Sequence, residues 1–120
     1  MLPKIFPILN TPEIQAFVGS DPVRIFDFGI APQGTEAPYI AFNQVADSPY
    51  DQLSGAACAD LSTMQIDIYS KGREEVREMA VIVKSIFDKK LMCNRLVFQT
   101  RETDTLLYRI CIEVDVIETS

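Results

Sequence analysis

The chain of 120 residues contains no histidine, and this absence narrows the chemistry that it can perform. Without histidine, Ser-His and Cys-His activation of a nucleophile, two-histidine zinc motifs and the commonest general acid–base group are excluded. Carboxylates are the common candidates that remain for catalysis. An enzyme is therefore the disfavoured class, and we expect no cofactor.

Cysteine is scarce, and long apolar runs are missing. Cys58, Cys93 and Cys111 are an odd number without CxxC spacing, which predicts neither a disulfide framework nor a zinc site. The apolar runs are far shorter than the roughly 20 residues that span a bilayer, and Pro3 and Pro7 interrupt the N-terminus where a signal peptide would be apolar. We expect no membrane partner and synthesis in a reducing cytoplasm.

Positive charge is also in deficit. Seventeen Asp and Glu residues against eleven Lys and Arg give a formal net charge of -6, which repels phosphate backbones unless the basic residues cluster. The nearest approach to a cluster lies in residues 71–90, where acidic residues are interspersed as on a solvated helix face. The content of apolar residues, 48%, is that of a globular protein, so we expect one folded domain over residues 1–120.

The first half of the chain predicts helices followed by strands. Leu2 to Val18 has helical spacing in two pieces, with Thr11 as the N-cap of the second piece and Gly19 after its end. Val23 to Phe28 alternates as a short strand, and Tyr39 to Val45 forms another strand after Pro38. Asp47 to Ala57 contains Ser-Pro and Ser-Gly and is predicted as a projecting connection.

The second half predicts a strand, a long helix and a hairpin. Leu61 to Tyr69 alternates, and from Glu74 the apolar spacing becomes helical. Val81 and Ile82 widen the apolar stripe of this helix, which favours a broad core-facing surface over the alternative of contact with a neighbouring subunit. Two final strands, Leu96 to Arg101 and Leu106 to Ile117, flank a turn of polar residues.

This order of elements predicts an α+β fold. We expect a mostly antiparallel β-sheet of about five strands, with an N-terminal helix and one long amphipathic helix packed on one face.

The sequence also contains two weaker indications of ion-binding sites. Asp67, Glu113 and Asp115 lie on outward strand positions, where a charged surface is favoured over a cation site. Ser70 to Arg73 opens a helix, where a turn is favoured over an anion site.

Three stretches together resemble a known family. They are "VRIFDFGIAPQGTEAPYIAFNQVADSPYD", "MQIDIYSKGREEVREMAVIVKSIFD" and "LYRICIEVDVIE", and they cover roughly residues 23–118. The shared features are a Pro-Gln-Gly loop, a Pro-Tyr-Ile strand, a Gln-Ile-Asp-Ile-Tyr strand leading into an amphipathic helix, and a closing Tyr-Arg strand. This pattern is similar to that of the tail-completion proteins of long-tailed bacteriophages and prophages, which are related to the tail terminators.

The resemblance implies a structural virion protein rather than an enzyme. Such a protein completes or terminates the tail tube at the head-proximal end of the virion, commonly as a homo-oligomeric, hexameric ring, after synthesis in the cytoplasm of the bacterial host. Its implied partners are the major tail tube protein and the head–tail connector proteins. DNA is implied only as a non-specific passenger through the lumen of the ring.

Projecting loops are natural contact surfaces in a ring, because each subunit must fit a different patch of the next one. We expect the loops 30–37 and 50–57 to reach neighbouring subunits or the tail tube; the alternative is ordinary packing against the protein's own body. The predicted interface residues are Ile30, Gln33, Glu36, Tyr50 and Leu53. An acidic lining would repel the phosphates of passing DNA, and for it we predict Asp47, Asp51 and Glu102, with Glu36 as a further candidate.

Two other classes of protein stay open at this point. A small α+β ligand-binding or regulatory module of bacterial or prophage origin would contain a sizeable apolar pocket with a few polar groups. A carboxylate-based metal enzyme would be stabilised by divalent ions. Neither has a sequence feature as extensive as the tail-protein pattern.

Overall fold

The computed structural model describes residues 5–20, 22–49 and 59–119, and the side chains of residues 5–20, 22–44 and 62–116. It contains three helices and five strands within these ranges. The elements are α1 (Phe6–Leu9), α2 (Pro12–Val18), β1 (Ile25–Phe26), β2 (Tyr39–Pro49), β3 (Ala59–Ser70), α3 (Arg73–Lys89), β4 (Asn94–Arg101) and β5 (Tyr108–Thr119).

The strands form one sheet in the order β1-β2-β3-β5-β4. The pairs β2–β3, β3–β5 and β5–β4 are antiparallel, and the short β1 pairs with β2 in parallel. Strand β5 therefore returns between β3 and β4, and the connection through α3 passes over it. The predicted α+β fold with a mostly antiparallel sheet of five strands is confirmed.

Helix α2 begins and ends where the sequence predicts, whereas α1 begins at Phe6 and the predicted start at Leu2 lies outside the described residues. The hydroxyl oxygen of Thr11 accepts a hydrogen bond from the Ile14 amide at 3.4 Å, and Pro12 occupies the first position of α2. Gly19 has a φ of 80° and ends α2 in the left-handed region that glycine adopts without strain.

The first strand is shorter than predicted. Only Ile25 and Phe26 pair with β2, whereas the alternating pattern runs from Val23 to Phe28. Phe28 and Gly29 adopt positive φ angles of 59° and 67° and turn the chain away from the sheet. The Arg24 guanidinium donates hydrogen bonds to the carbonyls of Phe17 and Pro38, and these bonds hold β1 between α2 and β2.

The hairpin of β2 and β3 is longer than predicted. The ladder continues to the pair of Pro49 with Asp60, so the part of the predicted connection from Asp47 to Pro49 is strand, and the Asp47 backbone pairs with Ser62. A register shift between Gln44 and Ala46 marks a bulge, which interrupts the alternation on which the prediction relied. The remainder of the predicted connection lies outside the described residues.

Helix α3 covers the middle of one sheet face. Its side chains Val76, Met79, Val83 and Phe87 are fully or almost fully buried, as the apolar stripe predicts. They pack in one core with Ile66, Ile68, Ile110 and Ile112 of the sheet and with Leu9, Ile14 and Val18 of α1 and α2. Burial of each large side chain contributes about 1.5–3 kcal/mol, so this layer fixes the helices on one side of the sheet.

Candidate assembly surfaces

The loop between β1 and β2 holds apolar side chains away from the body. Ile30 is 71% exposed and Phe28 is 75% exposed. The loop is nevertheless tethered, because the Gly29 amide donates a hydrogen bond of 2.8 Å to the Phe42 carbonyl. A Cβ on Gly29 would lie 3.4 Å from the Asn43 Cβ, so glycine permits this close approach. Ile30 is one of the predicted contact residues, and that role stays a prediction. The exposure of Phe28 was not predicted, because alternation placed it in a strand.

The same loop borders an open cleft of about 600 Å³ at one end of the sheet. Gln33 and Glu36 line it from one side, together with Tyr39 and Lys71, and the turn between β4 and β5 lines it from the other side through Thr105 and Leu107. That turn also contains Glu102, whose amide donates to the Leu107 carbonyl at 2.8 Å. Gln33, Glu36 and the turn of Glu102 are therefore brought to one end of the molecule.

The other predicted site residues do not join this group. Asp47 lies eight residues beyond Tyr39 along β2, which places its backbone about 26 Å away at the opposite end of the sheet. Tyr50, Asp51 and Leu53 lie outside the described residues. The structure thus separates Asp47 from Glu102, which we predicted for one acidic lining.

The sheet face opposite the helices carries an arginine network. The Arg109 guanidinium donates two hydrogen bonds, of 3.1 and 3.0 Å, to one Asp67 carboxylate oxygen, and it lies 3.6 Å from a Glu102 carboxylate oxygen. It also lies over the rings of Tyr69 and Phe98, at 5.6 and 5.0 Å from their centroids. Glu102 therefore neutralises Arg109 as well as accepting a hydrogen bond from Thr105.

Burial in this network changes the acidity of two neighbours. Burial, together with the Asp67 carboxylate, raises the pKa of the Tyr69 hydroxyl to about 12. Burial and the same carboxylate raise the pKa of the Cys111 thiol to about 12. Both groups stay protonated at neutral pH, so their role there is packing and hydrogen bonding.

A second arginine on this face, Arg95, binds the carboxylates of Glu113 and Asp115. Arg95 on β4 lies 3.0 Å from Glu113 and 3.2 Å from Asp115 on β5. The Thr63 hydroxyl donates a hydrogen bond of 3.1 Å to Asp115. The three carboxylates that were considered for a cation site, Asp67, Glu113 and Asp115, thus each contact an arginine in this structure.

On the helix side, an apolar groove separates α3 from β4. It has a volume of about 390 Å³ and is lined by Ala80, Val81, Leu96, Ile110 and Ile112, with Arg77, Lys84 and Gln99 at its rim. Val81 is 68% exposed and Leu96 is 50% exposed. The favoured interpretation of Val81 as part of the core-facing stripe is therefore wrong, whereas Ile82 is partly buried against the core.

Strand β4 forms the outer edge of the sheet beside this groove. It pairs with β5 on one side, and its other side has no strand partner within the described residues. Val97 and Phe98 on this strand are exposed. The sequence did not single out this groove, and the unusual width of the apolar stripe at Val81 was the signal available for it.

Within the described ranges, no helix is both long and apolar enough to cross a membrane.

Comparison with known proteins identifies the family. One chain of a solved structure, described as "Virion of native gene transfer agent (GTA) particle", superposes with a TM-score of 0.65 and 15% sequence identity, over 97% of this chain and 92% of that chain. At this identity the likeness concerns the fold. No curated protein matches the sequence. The sequence pattern of the family described as "Tail completion protein gp17" matches residues 6–119. The chain belongs to this tail completion family, and it is a structural component of a bacteriophage-type tail in the virion.

Proposed function

We propose that this protein completes the head-proximal end of a long phage tail as a homo-oligomeric, hexameric ring that joins the tail tube to the head connector. The whole of residues 1–120 acts as one tail-completion domain. The observation that carries this proposal is the family match over almost the full chain. The role is structural and non-enzymatic, and the partners are the neighbouring subunits, the major tail tube protein and the connector proteins.

Exposed apolar side chains support assembly into a larger particle. Ile30 and Phe28 on the tethered loop and Val81 and Leu96 at the groove each leave apolar surface in contact with water. Exposed apolar patches on soluble proteins mark interaction surfaces, and a ring needs at least two different patches on each subunit. The distribution of these residues over separate surfaces fits head-to-tail contacts between subunits.

The loop 30–37 and the hairpin end 50–57 provide further contacts in this proposal. Gln33 and Glu36 border an open cleft, and polar groups of this kind at the rim of an interface fix the register of a partner. Tyr50 and Leu53 supply the apolar contacts of the hairpin end. Asp47 and Asp51 at that end, and Glu102 at the opposite end of the sheet, belong to surfaces that face the DNA path.

A complementation experiment tests the proposed function. A phage or prophage whose copy of this gene is disrupted should release separate heads and tails, and expression of the wild-type chain should restore joined particles, counted by electron microscopy. The double variant Tyr50→Ser with Leu53→Ser should fold and yet restore about tenfold fewer joined particles, because it removes two apolar contacts. The reference variant is Thr103→Ser, in the turn between β4 and β5. Full restoration by a folded double variant would contradict the role of the hairpin end, and normal particles without the gene would contradict the proposed function.

A further inference from the structure

The groove between α3 and β4 has a basic rim on an otherwise acidic protein. Arg77 and Lys84 border the groove, and Arg73 and Arg101 border its continuation toward the start of α3. These are four of the eleven basic residues in the chain, whose net charge is -6. Arg73, Arg77 and Arg101 form no ion pair with any carboxylate of the described residues, whereas Lys84 lies 3.8 Å from Asp88. The rim therefore offers free positive charge beside an apolar floor.

The segment that joins β2 to β3 is acidic and contains apolar residues, so its composition complements the basic and apolar groove. Residues 45–60 contain Asp47, Asp51 and Asp60, and they contain no Lys or Arg. The same segment contains Tyr50 and Leu53, which are large enough to fill an apolar groove. An acidic segment with apolar side chains matches a basic rim around an apolar floor in both charge and hydrophobicity.

The described ends of β2 and β3 extend beyond the start of β4. Strand β4 begins at Asn94, which pairs with Val114, whereas β5 and β3 continue to the pair of Thr119 with Ala59. Strands β3 and β5 thus extend five residues, about 16 Å, beyond the start of β4, and β2 extends four paired residues beyond it. The groove lies on the helix side of the part of the sheet that contains Leu96, Ile110 and Ile112, whereas the pair of Pro49 with Asp60 lies beyond the start of β4. The described end of the hairpin therefore lies outside the groove of its own chain.

We infer that the groove between α3 and β4 of one subunit receives the β2–β3 hairpin end, residues 45–60, of a second copy of this chain. Tyr50 and Leu53 of the second copy lie against Val81, Leu96 and Ile112, and its aspartates lie beside Arg77 and Lys84. The groove and the hairpin end are different patches, so the contact is head-to-tail and continues from subunit to subunit until a ring closes. This inference rests on the proposed ring and names the surfaces that hold it together.

Site-specific cross-linking tests this contact directly. The background protein carries Cys58→Ser and Cys93→Ser and keeps the buried Cys111. Val81→Cys places a thiol in the groove, and Leu53→Cys places a thiol in the hairpin end. A protein with both cysteines, treated with a short bismaleimide, should give a ladder of covalent oligomers. A mixture of the two single-cysteine proteins should give a covalent dimer and nothing larger.

Other cross-linking patterns would overturn the inference. A covalent dimer from either single-cysteine protein alone would show a two-fold symmetric contact. A cross-linked monomer from the double-cysteine protein would show that the hairpin end reaches its own groove. If the double-cysteine protein is not cross-linked but still forms the ring by light scattering, the contact lies elsewhere and the proposed function is unaffected. If the wild-type protein never assembles, alone or on tails, the proposed function itself is contradicted.

Charge reversal provides an independent readout of the same contact. Arg77→Glu should raise the concentration of half-assembly about tenfold, because a carboxylate then faces the aspartates of the hairpin end. Adding Asp51→Lys in the same chain should restore assembly toward the wild-type concentration. Leu91→Asp is the control for added negative charge elsewhere on the surface, because Leu91 is 94% exposed and does not line the groove; it should assemble as the wild type does. Equal weakening by Arg77→Glu and Leu91→Asp would contradict the inference.

Discussion

At the scale of single residues, the most consequential contact is that of Asp67 with Arg109 on the sheet face opposite the helices. The Asp67 side chain is only 5% exposed, and Arg109 supplies it with two hydrogen bonds. A buried carboxylate is stable only with such partners, because the cost of removing it from water is large. The pair therefore fixes the register of β3 against β5 as well as contributing to stability.

Removal of this carboxylate should destabilise the fold. Asp67→Ala should lower the free energy of unfolding by about 2–3 kcal/mol, since among the described carboxylates Arg109 then keeps only the more distant Glu102. Arg95→Ala is the comparison, because Arg95 is 45% exposed and its ion pairs are screened by water, so its loss should cost less than about 1 kcal/mol. Urea unfolding of both variants measures the difference. Equal effects would contradict the structural role assigned to Asp67.

The raised pKa values of Tyr69 and Cys111 predict a loss of stability at alkaline pH. The folded protein holds the protons of Cys111 and Tyr69 up to a pKa of about 12, whereas in the unfolded chain these groups titrate near 9.0 and 10.0. The stabilisation is therefore complete below about pH 9 and is lost as the pH rises toward 12. Tyr69→Phe should reduce the fall in unfolding free energy between pH 8 and pH 11, measured by urea titration, and an unchanged fall would refute this assignment.

The sequence predicted some of these residues and not their partners. Alternation correctly placed Asp67, Cys111 and Glu113 on the face opposite the core. It could not show that Asp67 and Cys111 are buried, because their cover comes from long-range neighbours such as Arg109. Burial of a polar strand residue depends on which strand lies beside it, and one sequence does not determine that order.

At the scale of elements, the end of α3 carries an unfavourable residue. Leu91 has a φ of 59°, in the left-handed region, and its amide donates to the Asp88 carbonyl at 3.0 Å, while the Met92 amide donates to the Phe87 carbonyl at 2.9 Å. This is the arrangement in which helices usually place glycine after their last residue. A leucine here costs conformational energy and exposes its whole side chain.

Replacement of this residue should stabilise the protein. Leu91→Gly should raise the free energy of unfolding by about 0.5–1 kcal/mol, because glycine adopts the left-handed conformation without steric cost. Leu91→Ala removes the same exposed side chain and keeps the strained conformation, so it should give no such gain. Thermal and urea unfolding of the two variants measure this difference. A gain that is the same in both would contradict the conformational explanation.

The sequence predicted the helices correctly where the helical pattern of apolar residues continued over many positions. It failed to predict where the strands β1 and β2 end. The stripe of α3 and the caps of α2 act through neighbours three or four residues away, so the local sequence contains their cause. The extension of β2 to Pro49 depends on pairing with β3, and Asp47, Ser48 and Pro49 have the composition of a turn. The premature end of β1 depends on the positive φ of Phe28, which no local pattern indicates.

At the scale of the whole molecule, the sheet has one face covered by helices and one face that carries arginine–carboxylate pairs. On the covered face, an apolar groove lies beside the edge strand β4. The strands β2, β3 and β5 extend beyond the start of β4. The sequence predicted the layers and the family, but it did not predict the groove, which depends on the distance between α3 and β4. In the proposed ring, these two surfaces are the ones by which each subunit contacts its two neighbours.

The most direct test of the ring is the mass of the protein in solution. Static light scattering across a concentration series should show the mass rising to a plateau near 81 kDa, which is about six times the 13.5 kDa of the chain. A constant mass of 13.5 kDa at every concentration would contradict a ring formed by the free protein. A plateau near twice the mass of the chain would instead indicate a two-fold symmetric dimer, and that result would contradict both the ring and its head-to-tail contact.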